Sequence, residues 1–178
     1  MTKLRDFRDG LVGPTLILFV ICLVITVALS VVYNITDSVI AEGERQAAQE
    51  ARQAVLPAAD SFTEIDPSHL PDGVTAAFKA DNGTGYVFTS QADGFGGPVV
   101  YMIGMDAQGA VTGIEVFSHE ETPGLGTKVT AADYLGRYLG NVDPDSVDAI
   151  SGATRTTNSL KTALRQAREA YEMLREVA

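Results

Sequence analysis

One cysteine and two histidines among 178 residues leave little from which to build a disulfide, a zinc cage or an iron-sulfur cluster. Cys22 sits inside an apolar run, and His69 and His119 lie far apart in sequence and read as surface residues, so no metal ligands are assigned. Basic residues are scarce as well: 13 Lys and Arg face 23 Asp and Glu, for a formal net charge of −10. Lys3, Arg5 and Arg8 stand against Asp6 and Asp9 in the first ten residues, which leaves −11 on the remainder. A body this acidic cannot neutralise phosphates, which excludes nucleic-acid binding; its general effect is solubility. Internal repeats and low-complexity tracts are missing too. The length accommodates one membrane segment and one domain with its own core.

What is present begins with an uncharged run, LVGPTLILFVICLVITVALSVVY, from Leu11 to Tyr33. As a helix it measures roughly 35 Å against a hydrocarbon core of about 30 Å, enough to cross a bilayer once. A cleaved signal peptide is the rival, with small residues at Ala28-Leu29-Ser30, but the run exceeds the roughly 7 to 15 residues of a signal core and is expected to be retained. Three basic residues precede it, and Asp37, Glu42 and Glu44 follow, so residues 1–10 are expected in the cytoplasm and the body outside, on an inner or plasma membrane. Residues 35–56 are rich in helix formers with a weak stripe of Val39, Ala47, Ala51, Ala54 and Val55, and Pro57 stops them. Either a spacer or a docking surface fits this composition. The expected divisions are thus 1–10, 11–33, 34–57 and 58–178.

Beyond Pro57 the pattern changes to short β-type runs at Val74–Lys79, Gly85–Ser90, Val99–Met105 and Ala110–Ser118. Asp106-Ala107-Gln108-Gly109 reads as a hairpin turn, giving at least three antiparallel strands. Thr130 to Leu139 is expected as a helix capped by Thr130, with Asp133 at its third position, closing at Gly140. Leu160, Ala163, Leu164, Ala167, Tyr171 and Leu174 fall at helical spacing, predicting an amphipathic helix over 157–177 packed on the sheet. The body reads as an α+β domain with a mostly antiparallel sheet.

The chemistry concentrates between Asp148 and Asn158, where Gly152 permits a tight turn and hydroxyls crowd the start of the last helix. Free N–H groups and the helix dipole make such a start a phosphate seat; equally, Ser, Thr and Asn there are ordinary capping residues. On local physics both readings stand.

Ser151-Gly152-Ala153-Thr154, preceded by Asp148, resembles the flavinylation motif of the FMN-binding domain found in certain membrane redox proteins. Gly94-Phe95-Gly96-Gly97-Pro98 and Glu121-Thr122-Pro123-Gly124-Leu125-Gly126 resemble the domain's two other recurrent segments, in the same order. With the N-terminal helix and acidic spacer, the whole chain is similar to the G subunits of Rnf (Rsx) electron-transport complexes. The resemblance implies FMN joined by a phosphoester to the hydroxyl of Thr154, attached by a dedicated flavin transferase to which Asp148 and Ser151 are presented. Thr156 and Thr157 are placed to donate to the linked phosphate, and Arg155 either balances its charge or faces water. The resemblance also implies that the Glu121 to Gly126 segment is one wall of the ring site, with Thr122 a polar contact, Leu125 an apolar one and Gly124 allowing close approach. His119 and Glu120 either affect proton uptake or are surface residues, and Phe95 and Tyr86 are expected to pack only. The implied role is electron relay between neighbouring subunits, with no catalytic acid-base pair of its own, in a complex that couples ferredoxin:NAD electron flow to Na⁺ or H⁺ movement. Three alternatives stand beside it. One is the C subunit of a Na⁺-translocating NADH:quinone reductase, which shares the motif but is typically longer; another is an anchored binding module whose SGAT merely caps a helix; the third is a free-standing extracytoplasmic electron carrier.

Overall fold

The computed structural model describes residues 12–141 and 143–177. Lys3, Arg5, Arg8 and Leu11, on which the expected orientation and the start of the apolar span rest, lie outside the described residues, as do the side chains of Val39 and His69. Contacts divide the chain into two units, Met1–Gln46 and Ala47–Ala178.

The first unit holds most of helix α1, Val12–Val55. Within it, Gly13–Tyr33 is long and apolar enough to cross a membrane, with a mean hydropathy of 3.0. Leu18, Phe19, Leu29 and Tyr33 are more than half exposed along this stretch, a surface that water does not tolerate over such a length. The expected boundary near residue 34 is not an element boundary, since one helix runs through it. Asn34, Thr36, Asp37 and Ser38 lower helix propensity only by tenths of a kcal/mol each, roughly, and no proline intervenes before Pro57.

In the second unit the last turns of α1 pack Ala51, Val55 and the following Leu56 and Ala59 on Ala80, Val87 and Met102, a small core on one face of the sheet. Gln53 Nε2 donates to the carbonyl of Ala59 at 3.0 Å and closes the turn after Pro57. The sheet is an antiparallel meander of five strands in chain order: β1 Phe62–Ile65, β2 Val74–Ala80, β3 Gly85–Asp93, β4 Pro98–Asp106 and β5 Val111–Ser118. The unexpected strand is β1, only four residues long with weak alternation. Asp81 secures its approach by accepting from the hydroxyls of Ser61 and Thr63, and those two hydrogen bonds hold its carboxyl below the usual range. The hairpin lies where the sequence places it, since Asp106 Oδ1 accepts from Gln108 N and Ala110 N at 2.9 Å and Gly109 has φ +82°.

Helix α2 corrects an expectation. Instead of a full helix from Thr130 to Leu139, only Ala132–Leu135 is α-helical, followed by a 3₁₀ turn over Gly136–Tyr138. The Thr130 hydroxyl donates backwards to Thr127 O, leaving Ala131 at the cap position without a side-chain bond. Gly140, with φ +73°, ends the segment and donates its N–H to Val111 O at the edge strand.

Helix α3, Thr154–Val177, covers the other sheet face. Leu160, Ala163, Leu164, Ala167 and Tyr171 join Phe88, Tyr101, Ile103 and Met105 in the main core, and the two leucines contribute about 2 kcal/mol each by burial. It begins three residues before its expected start at 157, because Gly152 (φ +82°) reverses the chain and Ala153 O already accepts from Thr157 N at 2.9 Å. Arg165 ties Asp145 to this helix at 2.7 Å and holds that carboxyl below its usual range.

A Cβ on Gly104 meets Val55 O at 2.2 Å and Thr112 Oγ1 at 2.6 Å, so Ala there lifts α1 off the sheet. Gly104→Ala is expected to lower stability by about 1–3 kcal/mol in urea unfolding of the detergent-solubilised chain, while Gly136→Ala, with open space around it, changes stability by less than about 1 kcal/mol.

Candidate functional site

Three loops meet where α3 begins. The first, Gly94 to Gly97, is the turn between β3 and β4 and is closed by Gly94 N donating to Gly97 O at 2.8 Å. The second, Glu121 to Gly126, follows β5 and runs into a 3₁₀ turn at Gly126–Lys128. The third is Asp148 to Ala153, pinned by the hydroxyl of Tyr134 donating to Asp148 O at 2.9 Å.

Glu121 joins the first two. Its side chain is 5% exposed, and its Oε1 accepts from Phe95 N at 2.7 Å and, more weakly, from Gly96 N at 3.5 Å. Its own N–H donates to His119 Nδ1 at 3.2 Å. The neighbouring glycines make room for the carboxylate: a Cβ on Gly94 meets Oε1 at 2.1 Å, and one on Gly126 meets Oε2 at 2.0 Å. Arg155 joins the first and third loops, its Nε donating to Gly94 O at 2.8 Å. The Gly94–Gly97 turn is therefore held from both sides, by the loop of Glu121 and by the helix of Thr154.

Between these loops lies a cleft of about 60 Å³ lined by Phe95, Glu121, Thr122, Leu125, Gly126, Gly152, Ala153, Arg155 and Thr156. Two buried polar atoms on it have no hydrogen-bond partner among the described residues, Glu121 Oε2 and Thr156 Oγ1. Left unpaired, such atoms cost about 1–3 kcal/mol each, so each calls for a water or a ligand group. One is an acceptor and the other can donate, so the cleft suits a ligand with both N–H groups and anionic oxygens. Beneath it, Tyr101 donates to Ser159 Oγ at 3.2 Å; burial first, and the charge of Glu121 in addition, push the Tyr101 phenol up to about 12.

Of the residues picked from sequence, Glu121, Thr122, Leu125, Gly152, Ala153 and Thr156 come together on this cleft. Thr154 is exposed at the first position of α3, between two lining residues, and its hydroxyl has no hydrogen bond among the described residues. Thr157 is fully buried and its Oγ1 accepts from Ile150 N at 3.3 Å. Ser151, Asp148 and Gly124 are exposed and do not line the cleft; Gly124 N donates to Thr127 Oγ1 at 2.8 Å.

Two residues carry more than the sequence reading assigns them. Phe95, expected to pack, is 68% exposed at the cleft mouth, because the carboxylate of Glu121 holds its backbone and leaves the ring outside. Arg155 clamps a loop 61 residues away in sequence. The signal available is the aromatic residue set between glycines in Gly94-Phe95-Gly96-Gly97, a composition for presenting a ring rather than burying it.

The FMN-binding domain family matches residues 94–169, a span containing all three loops. Over nearly its whole length the chain is similar to G subunits of ion-translocating oxidoreductase complexes. It is 30% identical to the G subunit of the Na(+)-translocating ferredoxin:NAD(+) oxidoreductase complex of Acetobacterium woodii, covering 89% of this chain and 90% of the relative. It is 29% identical to the G subunit of the ion-translocating oxidoreductase complex of Stutzerimonas stutzeri, covering 93% and 82% respectively. With the G subunit of the proton-translocating ferredoxin:NAD(+) oxidoreductase complex of Clostridium ljungdahlii the identity is 23% over 95% of each chain.

Gly126→Ala is expected to displace the carboxylate of Glu121 and free the Phe95 amide, lowering stability by about 1–3 kcal/mol. Hydrogen exchange measures it: the Phe95 and Gly96 amides should lose protection while those of β3 and β4 keep theirs.

Proposed function

The chain belongs to the family of G subunits of ion-translocating oxidoreductase complexes, and from that premise we propose that it relays electrons within such a complex through FMN esterified to the hydroxyl of Thr154. The observation that carries this reading is the unengaged Thr154 hydroxyl at the start of a 24-residue helix, flanked by two residues of a cleft that holds unpartnered buried polar atoms. FMN supplies the redox chemistry once attached; the protein fixes its position and potential.

The first turn of α3 directs unsatisfied backbone N–H groups and the positive end of its dipole toward a phosphate on Thr154. Thr156 Oγ1, buried without a partner, would donate to that phosphate, and Arg155, held by Gly94 O, would contribute a nearby cation. Leu125 and Thr122, which line the cleft, would flank one side of the ring, with Phe95 at the mouth. A cleft of about 60 Å³ is well below the roughly 300 Å³ of an enclosing ligand pocket, so the ring would stay largely outside it. An exposed ring suits an electron relay, which must come close to its partners and excludes no substrate.

Asp148 and Ser151, both exposed beside Thr154, are the residues offered to a flavin transferase that uses FAD. Gly13–Tyr33 spans the bilayer once, with residues 1–10 cytoplasmic and the domain from residue 58 onward outside, facing the other subunits. A covalent link keeps the flavin from being diluted away in that compartment.

The test is intact mass with in-gel fluorescence under denaturing conditions, on wild type and Thr154→Ala co-expressed with the transferase. The wild type should gain about 438 Da, one FMN less the water lost on esterification, and fluoresce. Thr154→Ala should do neither while its unfolding free energy stays within about 0.5 kcal/mol of wild type, as for other exposed sites. An unmodified wild type in the presence of active transferase would contradict the proposal.

A further inference from the structure

A carboxylate buried to 5% exposure with one oxygen unpartnered is an expensive feature, and in this domain it faces the cleft. Glu121 forms no ion pair among the described residues; what it accepts from are the amides of Phe95 and Gly96, both on Oε1. Packing alone does not call for the arrangement. Gln would fill the same room between Gly94 and Gly126 and keep the bond to Phe95 without bringing a charge into the interior.

We propose that the Glu121 carboxylate governs the protonation of the reduced flavin, its negative charge opposing loss of the ring's second proton. This rests on the reading of the cleft as the FMN site. Two electrons and two protons added to the oxidised ring leave it neutral; two electrons and one proton leave it with one negative charge. An anion in the wall that the ring's edge would rest against disfavours the second outcome, because like charges repel and the burial of Glu121 leaves its charge little screened. Glu121 thereby keeps reduction a two-electron, two-proton event to higher pH and lowers the potential wherever the anionic form would otherwise prevail.

The other groups around Glu121 do not reproduce this charge. His119 accepts from its backbone N–H, Glu120 is exposed, and Lys128 is exposed at the end of the following 3₁₀ turn. Tyr101 on β4 has its phenol pushed up to about 12 and stays neutral. Arg155 on α3 lines the same cleft and keeps its positive charge, but it forms no ion pair with Glu121 among the described residues, its Nε being held by Gly94 O, and in the proposed arrangement it balances the phosphate. The turn from Gly94 to Gly97 carries no titratable side chain, and Asp93 before it is exposed.

The experiment is a dye-mediated potential titration of the full flavinylated chain in detergent, reduced with dithionite across the neutral and alkaline range. Wild type, Glu121→Gln and Glu121→Asp are first checked by mass for one covalent flavin, so that an unflavinylated wild type counts against the Thr154 reading and not against this one. In wild type the slope changes from two protons to one per two electrons at a certain pH. In Glu121→Gln that break should move down by about one pH unit or more, with a higher potential above it, whereas Glu121→Asp, which keeps the charge, should stay near wild type. A break unchanged in Glu121→Gln, or moved equally in both variants, overturns the proposal. Wild type also reports directly, without any variant: reduction should shift a carboxylate stretch in the infrared difference spectrum, and a spectrum without that shift overturns it too.

Discussion

The bond from Phe95 N–H to the buried carboxylate of Glu121 organises this domain's working end. Without it, three loops separated by tens of residues have little in common: two are glycine-rich turns and the third is the lead-in to a helix. The carboxylate draws the Gly94–Gly97 turn against the loop after β5, and the Arg155 bond to Gly94 O draws the same turn against α3. Glycines stand at 94 and 126 because any side chain there would occupy the carboxylate's own position. Local chain composition and the site's architecture are therefore consequences of placing one charged group inside.

That constraint needs a rigid platform, which the meander and α3 supply. β3 and β4 run directly into the Gly94–Gly97 turn, and Ser159 on α3 donates to Ala92 O at 3.0 Å just before it. The first turn of α3 thus has a fixed height over the sheet, and Thr154 with it. On the opposite face the end of α1 packs through Val55 and Leu56, close enough that Gly104 and Gly113 admit no Cβ. The site is carried by regular elements, and only its rim, with Phe95 and Leu125 exposed, is free to meet something else.

Much of this was legible in the sequence where periodicity or local chemistry is strong. The hairpin at Asp106–Gly109, the four longer strands and the apolar stripe of α3 follow from alternation, turn residues and helical spacing. The elements misjudged were those decided by distant partners. β1 is a strand because Asp81 grips its approach, and the segment from Thr130 breaks up because the Thr130 hydroxyl turns back to Thr127 O. At the site, resemblance picked the three motifs, and Glu121, Thr122, Leu125 and Thr156 do share a cleft. No reading of spacing could foresee that Phe95 stays outside or that Arg155 reaches Gly94, since both depend on contacts across more than twenty residues.

The central claim is that the flavin sits on one particular hydroxyl among several crowded together, at Ser151, Thr154, Thr156 and Thr157. Proteolysis of the flavinylated chain followed by fragmentation mass spectrometry of the peptide holding residues 148–165 locates it directly. The account predicts a fragment series that carries the flavin mass on Thr154 alone, the exposed and unengaged hydroxyl of the group. A series that places it on Ser151, or on either buried threonine, would contradict the account.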